Sequence, residues 1–302
     1  MVSVKTPAIA ASLRALLSRI IDYAGLFPPA GLDMSTAVAN YARYLAGPDR
    51  WMLGRFVVPA TRLQELEQAM AAIAPGSSAW QLSVLRGSEA ADTRLLSEFA
   101  ERVARSSSVA IADAVELRVT DASSIARLMR QVPDGVTTYF ELPLDGELGA
   151  LVAAVGAAGG RAKIRTGGVT ADSLPPARAV AGFIRACVDR DVRFKATAGL
   201  HHPLRADYAL TYAPDSPRGT MHGFLNVFLA TALARAGASE SALVALLEES
   251  DLEAFRVSSG AITWHDHRLD ERALLAAREQ AVSFGSCSFE EPVADLRSLG
   301  LL

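Results

Sequence analysis

Two lysines lie in sequence contexts that are typical of catalytic residues. Only three lysines occur among the 30 lysines and arginines, and two of them, Lys163 and Lys195, lie inside the strand-like segments "RAKIRTGG" and "RFKATAGLHH". Arginine stays protonated in proteins, whereas burial or a neighbouring cation can lower the pKa of lysine until its amine is neutral. Two lysines on adjacent strands would each lower the pKa of the other, which predicts an amine nucleophile.

Alternation along four predicted strands indicates which side chains share an interior with these lysines. Successive strand residues face opposite sides, and the apolar set must face the covering helices. The polar set is then predicted to converge inside: Glu116, Arg118, Tyr139, Glu141, Lys163, Arg165, Lys195 and Thr197. Burying so many charges is costly unless they pair, so the cluster predicts a functional site or, alternatively, a self-neutralising layer of ion pairs.

Eight strand patterns, each followed by a helical pattern, predict the fold that positions these residues. Runs rich in β-branched and aromatic residues alternate with segments of helical period. The predicted strands are 19–27, 54–60, 80–87, 113–120, 137–145, 161–168, 193–202 and 260–266. This order favours the α/β class, a (β/α)8 TIM-like barrel forming a single domain over residues 1–302. The alternative is an open doubly wound sheet, whose strands would be continuous apolar runs.

Segments outside the eight repeats are predicted to pack on the barrel. We expect an N-terminal helix before the first strand, and a C-terminal extension at 283–302 made of a loop and a short helix. The N-terminus lacks the unbroken apolar region of a signal peptide, and no run is long enough to span a membrane. The sequence has only two cysteines, which is too few for a disulfide framework. We therefore expect the protein to be cytoplasmic.

Charge and motifs exclude several classes of function. The formal net charge is -3 and the pI is about 6.0, so no basic surface for nucleic acid or anionic membrane is expected. No Rossmann fingerprint, P-loop or nucleophile elbow occurs, which argues against NAD, ATP and serine-hydrolase chemistry. The predicted partner is a small anionic substrate, and homo-oligomerisation is left open.

The two lysine segments resemble those of a known enzyme family. "AKIRTGG" and the later "FKATAGL" resemble the paired lysine strands of class I aldolases of the deoxyribose-phosphate aldolase type, which are (β/α)8 barrels. The resemblance covers strands 6 and 7 only. It implies that Lys163 forms a Schiff base with the substrate carbonyl and that Lys195 lowers the pKa of Lys163. The predicted third strand, "WQLSVLRG", lacks the family's acidic residue, so Glu141 or Glu116 would have to move protons.

The leading hypothesis is a lyase that acts on a small anionic carbonyl compound through an imine on Lys163 or Lys195. Glu141 or Glu116 would do the acid–base work, and no cofactor is expected. Residues beside or just beyond the strand ends are predicted to bind the substrate, with Arg165 or Arg118 holding its anionic group. This predicted substrate-binding set is Arg165, Arg118, Tyr139, Thr197, His201, His202, Gly167 and Gly168.

Two alternatives remain open at this point. A divalent metal bound by His201, His202, Glu116 and Glu141 would make the protein a metal-dependent hydrolase, isomerase or lyase. A non-catalytic barrel that binds a metabolite would use the charged cluster as a structural core, and fold alone does not separate these functions. Asp22 is predicted either to join the site or to have a helix-entry or turn role. Cys287 is a poor nucleophile candidate because no histidine is near it in sequence.

Overall fold

A computed structural model shows a closed barrel of eight parallel strands, so the predicted (β/α)8 barrel is confirmed and the open sheet is wrong. The structure describes residues 9–73, 79–87, 94–95, 97–99, 101, 110–144 and 146–302. The strands are β1 (Ile21–Tyr23), β2 (Leu53–Pro59), β3 (Trp80–Arg86), β4 (Ala110–Arg118), β5 (Thr137–Glu141), β6 (Arg161–Arg165), β7 (Phe194–Thr197), β8 (Ala206–Ala209), β9 (Arg218–Met221), β10 (Phe255–Val257), β11 (Ala261–Trp264), β12 (His267–Asp270) and β13 (Ala281–Ser286). The barrel runs β1–β13–β7–β6–β5–β4–β3–β2.

Helices cover the outside of the barrel. The α-helices of the described residues are Ala11–Leu17, Met34–Ala46, Leu63–Ala71, Ala122–Met129, Leu148–Ala157, Ala177–Asp189, Phe224–Arg235, Glu240–Glu248, Glu271–Gln280 and Glu290–Ser298. Four of them begin after an Asp or Ser whose side chain accepts a backbone N–H of the first turn, which satisfies an otherwise unpaired donor. The predicted N-terminal helix is confirmed at Ala11–Leu17. The helix predicted within 89–104 lies largely outside the described residues.

The eighth barrel strand is not where the sequence pattern predicts it. Residues 260–266 contain β11, which pairs antiparallel with β10 and β12 in a separate three-stranded sheet. The barrel is closed by β13, which follows helix Glu271–Gln280 without a loop and extends into the predicted extension 283–302. Both Ser283 and Gly285 are poor strand formers, so the pattern of β13 is weak, whereas β11 has the alternation of a hairpin strand.

The rest of the extension behaves as predicted. Helix Glu290–Ser298 packs on the barrel with Val293 and Leu296 buried in the core. Within the described part of the chain, no helix is long and apolar enough to cross a membrane.

Strands β4 to β7 show the predicted separation of polar and apolar faces in part. Glu116, Lys163 and Lys195 are buried inside as predicted. Arg118 and Arg165 were also expected inside, but both are exposed because each is the last residue of its strand. Phe140, Ile164 and Phe194 belong to the apolar core, while charged residues that alternate with them are buried among one another. In the strand register, β5 Glu141 is opposite Lys163 of β6, which is opposite Lys195 of β7. Three charged side chains are thus brought to one level of the barrel by neighbouring strands.

Candidate active site

Two buried lysines and three carboxylates form one continuous network inside the barrel. The Nζ of Lys163 lies 2.7 Å from Glu116 Oε2 and 2.7 Å from Glu141 Oε2. The Nζ of Lys195 lies 2.6 Å from Asp22 Oδ2 and 2.7 Å from Glu116 Oε1. Glu116 therefore gives one oxygen to each ammonium group. Three carboxylates against two ammonium groups leave one negative charge in excess when all five are ionised.

Small residues on neighbouring strands hold the carboxylates in place. The hydroxyl of Ser83 on β3 donates to Glu116 Oε1 at 2.6 Å, and Ser283 on β13 donates to Asp22 Oδ2 at 2.8 Å. The backbone N–H of Arg55 donates to Asp22 Oδ1 at 2.8 Å. A Cβ on Gly54 would come within 2.3 Å of that oxygen, so a glycine is required there. Because these hydrogen bonds come from short serine side chains and from the backbone, they hold the carboxylates in defined positions.

The network keeps Lys195 charged. Burial alone would raise the pKa of Glu116, but Lys163 and Lys195 lower it well below its ordinary value. Burial alone would lower the pKa of Lys195, but Asp22 and Glu116 raise it well above its ordinary value. The prediction that the lysines lower each other's pKa is therefore wrong for Lys195, because carboxylates outweigh the second ammonium group. Lys195 must lose a proton before its amine can attack a carbonyl.

A cavity of about 250 Å³, which we call the main cavity, lies at the carboxyl ends of the strands and reaches this network. Lys195 and Glu116 are part of its wall, and Phe27, Val57 and Leu85 form part of its apolar side. The other polar or glycine wall residues include Arg165, Thr197, Gly168, His201 and Cys287. Barrel enzymes keep their active sites at this end of the fold.

A second cavity of about 230 Å³ adjoins the first one and shares Arg165 with it. Arg118 and Glu141 also line this second cavity, and the Nε of Arg118 lies 3.9 Å from Glu141 Oε1. The side chain of Arg118 is 80% exposed, so its attraction to Glu141 is weak. Within the described residues no carboxylate forms an ion pair with Arg165. Arg165 is therefore the cation best placed to receive an anionic group from solution.

Two predicted substrate-binding residues, Tyr139 and Gly167, are not part of the described wall of the main cavity. Tyr139 is fully buried, its hydroxyl accepts a hydrogen bond from Arg161 at 3.1 Å, and its ring centroid lies 5.3 Å from Lys195 Nζ. It packs beside the lysine and is not part of the described cavity wall. Gly167 allows close approach of backbones, since a Cβ there would come within 3.0 Å of the Cα of Gly199. Gly168 does line the main cavity.

The two adjacent histidines have different surroundings. His201 lines the main cavity and its Nδ1 lies 3.3 Å from Glu291 Oε2. His202 stacks on Tyr208 at 3.6 Å between ring centroids, and its Nδ1 lies 2.6 Å from Asp295 Oδ2. Only His201 is therefore placed to contact a molecule in the main cavity.

The predicted metal ligands are not brought together. Glu116 and Glu141 contact the lysines, whereas His201 and His202 contact carboxylates of helix Glu290–Ser298. Over the residues that the structure describes, no group of three or more His, Cys, Asp or Glu side chains is arranged to hold a metal ion. The geometry does not fit the four-residue metal site predicted from the sequence.

Sequence reasoning missed the roles of four residues. It left Asp22 undecided because β1 has only three residues, too few to show alternation. It passed over Ser83 and Ser283, although Ser83 is a polar residue within the apolar pattern of β3. It discounted Cys287, yet Cys287 Sγ lies 4.0 Å from the Nδ1 of His201. No local sequence signal reports a contact between residues so far apart in the chain.

Comparisons of the chain with protein-family models, curated proteins and solved structures find no match. The function of the site has to be inferred from its own geometry. The observations that bear on it are the shared carboxylate of Glu116, the position of Lys195 in the cavity wall, and Arg165, which has no ion-pair partner among the described residues.

Proposed function

We propose that the protein is an aldolase-like lyase that forms an imine between Lys195 and the carbonyl carbon of a small anionic substrate. The observation that carries this proposal is that Lys195 is part of the cavity wall while its Nζ touches two carboxylates that can accept its proton. Lys163, which the family resemblance implied as the nucleophile, touches Glu116 and Glu141 and is not part of the main cavity's described wall. Lys163 is assigned the role of charge partner.

The chemistry begins with proton transfer out of the lysine. The Nζ of Lys195 passes a proton to Asp22 or Glu116, and the neutral amine then attacks the substrate carbonyl. The carbinolamine oxygen takes one proton from the attacking nitrogen and one from the carboxylic acid formed in the first step, and leaves as water. A carbon–nitrogen double bond thus replaces the carbon–oxygen double bond. The bond between the α and β carbons of the substrate then breaks, and its electron pair moves toward the iminium to form an enamine. Glu116 or Glu141 accepts the hydroxyl proton of the departing carbonyl fragment and then protonates the enamine carbon. Water hydrolyses the iminium that is formed again and releases Lys195.

The substrate class follows from the charges around the cavity. Arg165 borders both cavities without an ion-pair partner among the described residues and would bind a carboxylate or phosphate. Thr197 and Gly168 line the same wall and would position polar groups of the substrate. A volume of about 250 Å³ limits the substrate to a small metabolite. We place this activity in the cytoplasm and without a cofactor, as the sequence predicts.

Borohydride trapping tests the proposal. The protein is incubated with small aldehydes, ketones and 2-oxo acids, reduced, and mapped by peptide mass spectrometry. We expect a substrate-dependent adduct on Lys195 that disappears in Lys195→Arg and persists at a lower rate in Lys163→Met. Lys5, the remaining lysine, is the internal control for random modification. No adduct on either barrel lysine across the panel would overturn the lyase, and an adduct on Lys163 alone would overturn the choice of Lys195.

One observation favours a second candidate, a barrel that binds an anionic metabolite without turnover. Each lysine already has two carboxylates within 2.7 Å, so the positive charges of both lysines are neutralised without any substrate. Calorimetric titration together with the trapping experiment separates the two functions. A non-catalytic barrel would bind a small anion, lose that binding in Arg165→Gln, and give neither adduct nor turnover.

A further inference from the structure

A cluster of ionisable side chains surrounds Cys287 at the edge of the main cavity. The Sγ of Cys287 lies 4.0 Å from His201 Nδ1 and 3.5 Å from the hydroxyl oxygen of Tyr212. Glu291 Oε2 lies 3.3 Å from the same Nδ1 and accepts a hydrogen bond from Tyr212 at 3.2 Å. Cys287 and His201 both line the cavity that reaches Lys195. The proposed lysine chemistry uses none of these four groups.

Charges and hydrogen bonds around the sulfur favour its thiolate form. Burial alone would raise the pKa of Cys287, but His201, the Tyr212 hydroxyl and the backbone N–H of Ala30 lower it below its ordinary value. Tyr23 on β1 faces the same sulfur and stays neutral, because burial raises its pKa. Glu291 is the nearby anion that competes for the charge of the imidazole.

His201 is a cation at neutral pH. Burial alone would lower its pKa, but Cys287 and Glu291 raise it to about 9. A positive imidazole beside a sulfur is the environment that activates cysteines. Cys187, the other cysteine, is fully buried in the core, and burial raises its pKa. The two thiols of the chain are therefore expected to differ greatly in reactivity.

The cluster does not have the geometry of a cysteine hydrolase. In such enzymes the base contacts the nucleophile through one ring nitrogen and its orienting acid through the other. In this protein a single ring nitrogen, Nδ1 of His201, faces both Cys287 and Glu291. The hydroxyl of Ser286 lies 3.1 Å from the same nitrogen. His201 thus acts as a charge partner and a proton donor beside the sulfur, and acyl transfer is not the inferred reaction.

We propose that Cys287 is a modification site, a reactive thiolate that small neutral electrophiles such as hydrogen peroxide oxidise from within the cavity. The sulfur attacks one peroxide oxygen, the oxygen–oxygen bond breaks, and the departing hydroxide takes a proton from His201 to become water. The sulfur is oxidised by two electrons to the sulfenic acid while the peroxide is reduced. Because Cys287 and Lys195 line the same cavity, the added group reduces the space available above the lysine.

Alkylation of the native protein tests the reactivity. With iodoacetamide at pH 7, we expect Cys287 to be labelled and Cys187 to stay unlabelled until the protein is denatured. His201→Gln should slow labelling of Cys287 about tenfold or more at pH 7 and move its pH–rate profile to higher pH. His202→Gln is the matched control, because His202 contacts Tyr208 and Asp295 and approaches the cluster only at Glu291 Oε1, 4.0 Å from its Nε2. Thermal unfolding of both variants verifies that they are folded.

Two results would overturn this inference: labelling of Cys287 in the native protein no faster than labelling of Cys187, or an unchanged rate in folded His201→Gln. Neither measurement involves an imine, so the inference and the proposed lyase can fail separately. A second arm treats the protein with hydrogen peroxide and traps sulfenic acid with dimedone, which we expect on Cys287 and not on Cys187. Absence of dimedone adduct on Cys287 would overturn the oxidation step.

The effect on the cavity rests on the proposed function and is tested last. Oxidised protein should lose most of the borohydride adduct on Lys195 and regain it after reduction with dithiothreitol. Cys287→Ser should keep the adduct in the presence of peroxide. If oxidised wild-type protein forms the adduct at the untreated rate, the cavity is not obstructed and this part of the inference is wrong.

Discussion

Each carboxylate oxygen of Glu116 forms an ion pair with one of the two buried ammonium groups, so a single negative charge is shared by both lysines. Replacing it by Gln keeps the volume but removes that charge, and breaking a buried ion pair typically costs about 3–5 kcal/mol. We expect Glu116→Gln to lower the free energy of unfolding at pH 7 by about that amount, measured by urea denaturation. Glu290→Gln is the control, because the Arg43–Glu290 pair is exposed and such pairs contribute at most about 1 kcal/mol. Equal effects of the two changes would contradict the prediction.

The pH dependence of Lys195 variants has a defined sign. In the wild type, the lowered pKa of Glu116 stabilises the fold above that group's ordinary value of 4.5, and this stabilisation is lost as pH falls. In Lys195→Met, Asp22 and Glu116 lose their shared cation, and protonation of a carboxylate relieves the penalty. We expect a loss of about 3–5 kcal/mol at pH 8 that shrinks toward pH 4.

Denaturation of Lys195→Met and the wild type at several pH values checks this expectation. Lys195→Arg is the control that retains the positive charge, and its loss should not shrink in the same way. A difference between wild type and Lys195→Met that is constant from pH 8 to pH 4 would show that the carboxylates are not left uncompensated.

The predictability of individual site residues depended on strand length. Lys163 and Glu116 were predicted because β4 and β6 show clear alternation of polar and apolar residues over five or more positions. Asp22 lies in a three-residue strand, where alternation cannot be recognised. The raised pKa of Lys195 was missed for a related reason. The sequence showed the second lysine beside it but did not show that Asp22 also reaches the amine.

At the scale of elements, strand β2 must come close to β1 for Asp22 to reach Lys195. A Cβ at Gly54 would lie 2.3 Å from Asp22 Oδ1 and 3.0 Å from the carbonyl oxygen of Ile21. We expect Gly54→Ala to displace Asp22 and to destabilise the protein by about 1–3 kcal/mol, as overpacking does. Gly182→Ala is the control of opposite sign. It lies inside helix Ala177–Asp189, where a new Cβ would have no atom within 4 Å apart from its chain neighbours and the nearby backbone of the same helix. The change should stabilise the protein by about 0.5–1 kcal/mol.

Urea denaturation of both glycine variants measures these effects. Retention of full stability in Gly54→Ala would mean that β1 and β2 can separate without disturbing the carboxylate. A destabilised Gly182→Ala would contradict the open surroundings of that helix position.

Element order was predicted well, but the last strand was not. A hairpin strand and a barrel strand can show the same alternation of polar and apolar residues, so the sequence pattern predicts β11 as the eighth strand. In β13 the inward positions are small because Ser283 bonds Asp22, and Gly285 lies beside Thr197, whose Cγ2 is 3.6 Å from the position of a Cβ. The site itself therefore weakened the sequence signal of the strand that completes it.

At the scale of the whole molecule, the barrel is closed only by a segment near the end of the described chain. β13 pairs with β1 on one side and β7 on the other, so its pairing with β1 joins segments near the two ends of the sequence. Without β13, two parallel edges would be left with unpaired backbone groups. It also supplies the hydroxyl of Ser283 and leads directly to Cys287, which joins barrel closure to both proposed sites.

Two truncated chains separate closure from surface packing. A chain that ends at Gln280 lacks β13, and we expect it to show no cooperative unfolding transition and to aggregate, because the edges of β1 and β7 stay open. A chain that ends at Phe289 keeps β13 and loses helix Glu290–Ser298. It should fold with native-like circular dichroism but lower stability, since it loses the burial of Val293 and Leu296. Cooperative unfolding of the chain that ends at Gln280 would show that seven strands suffice and that β13 is a dispensable extension.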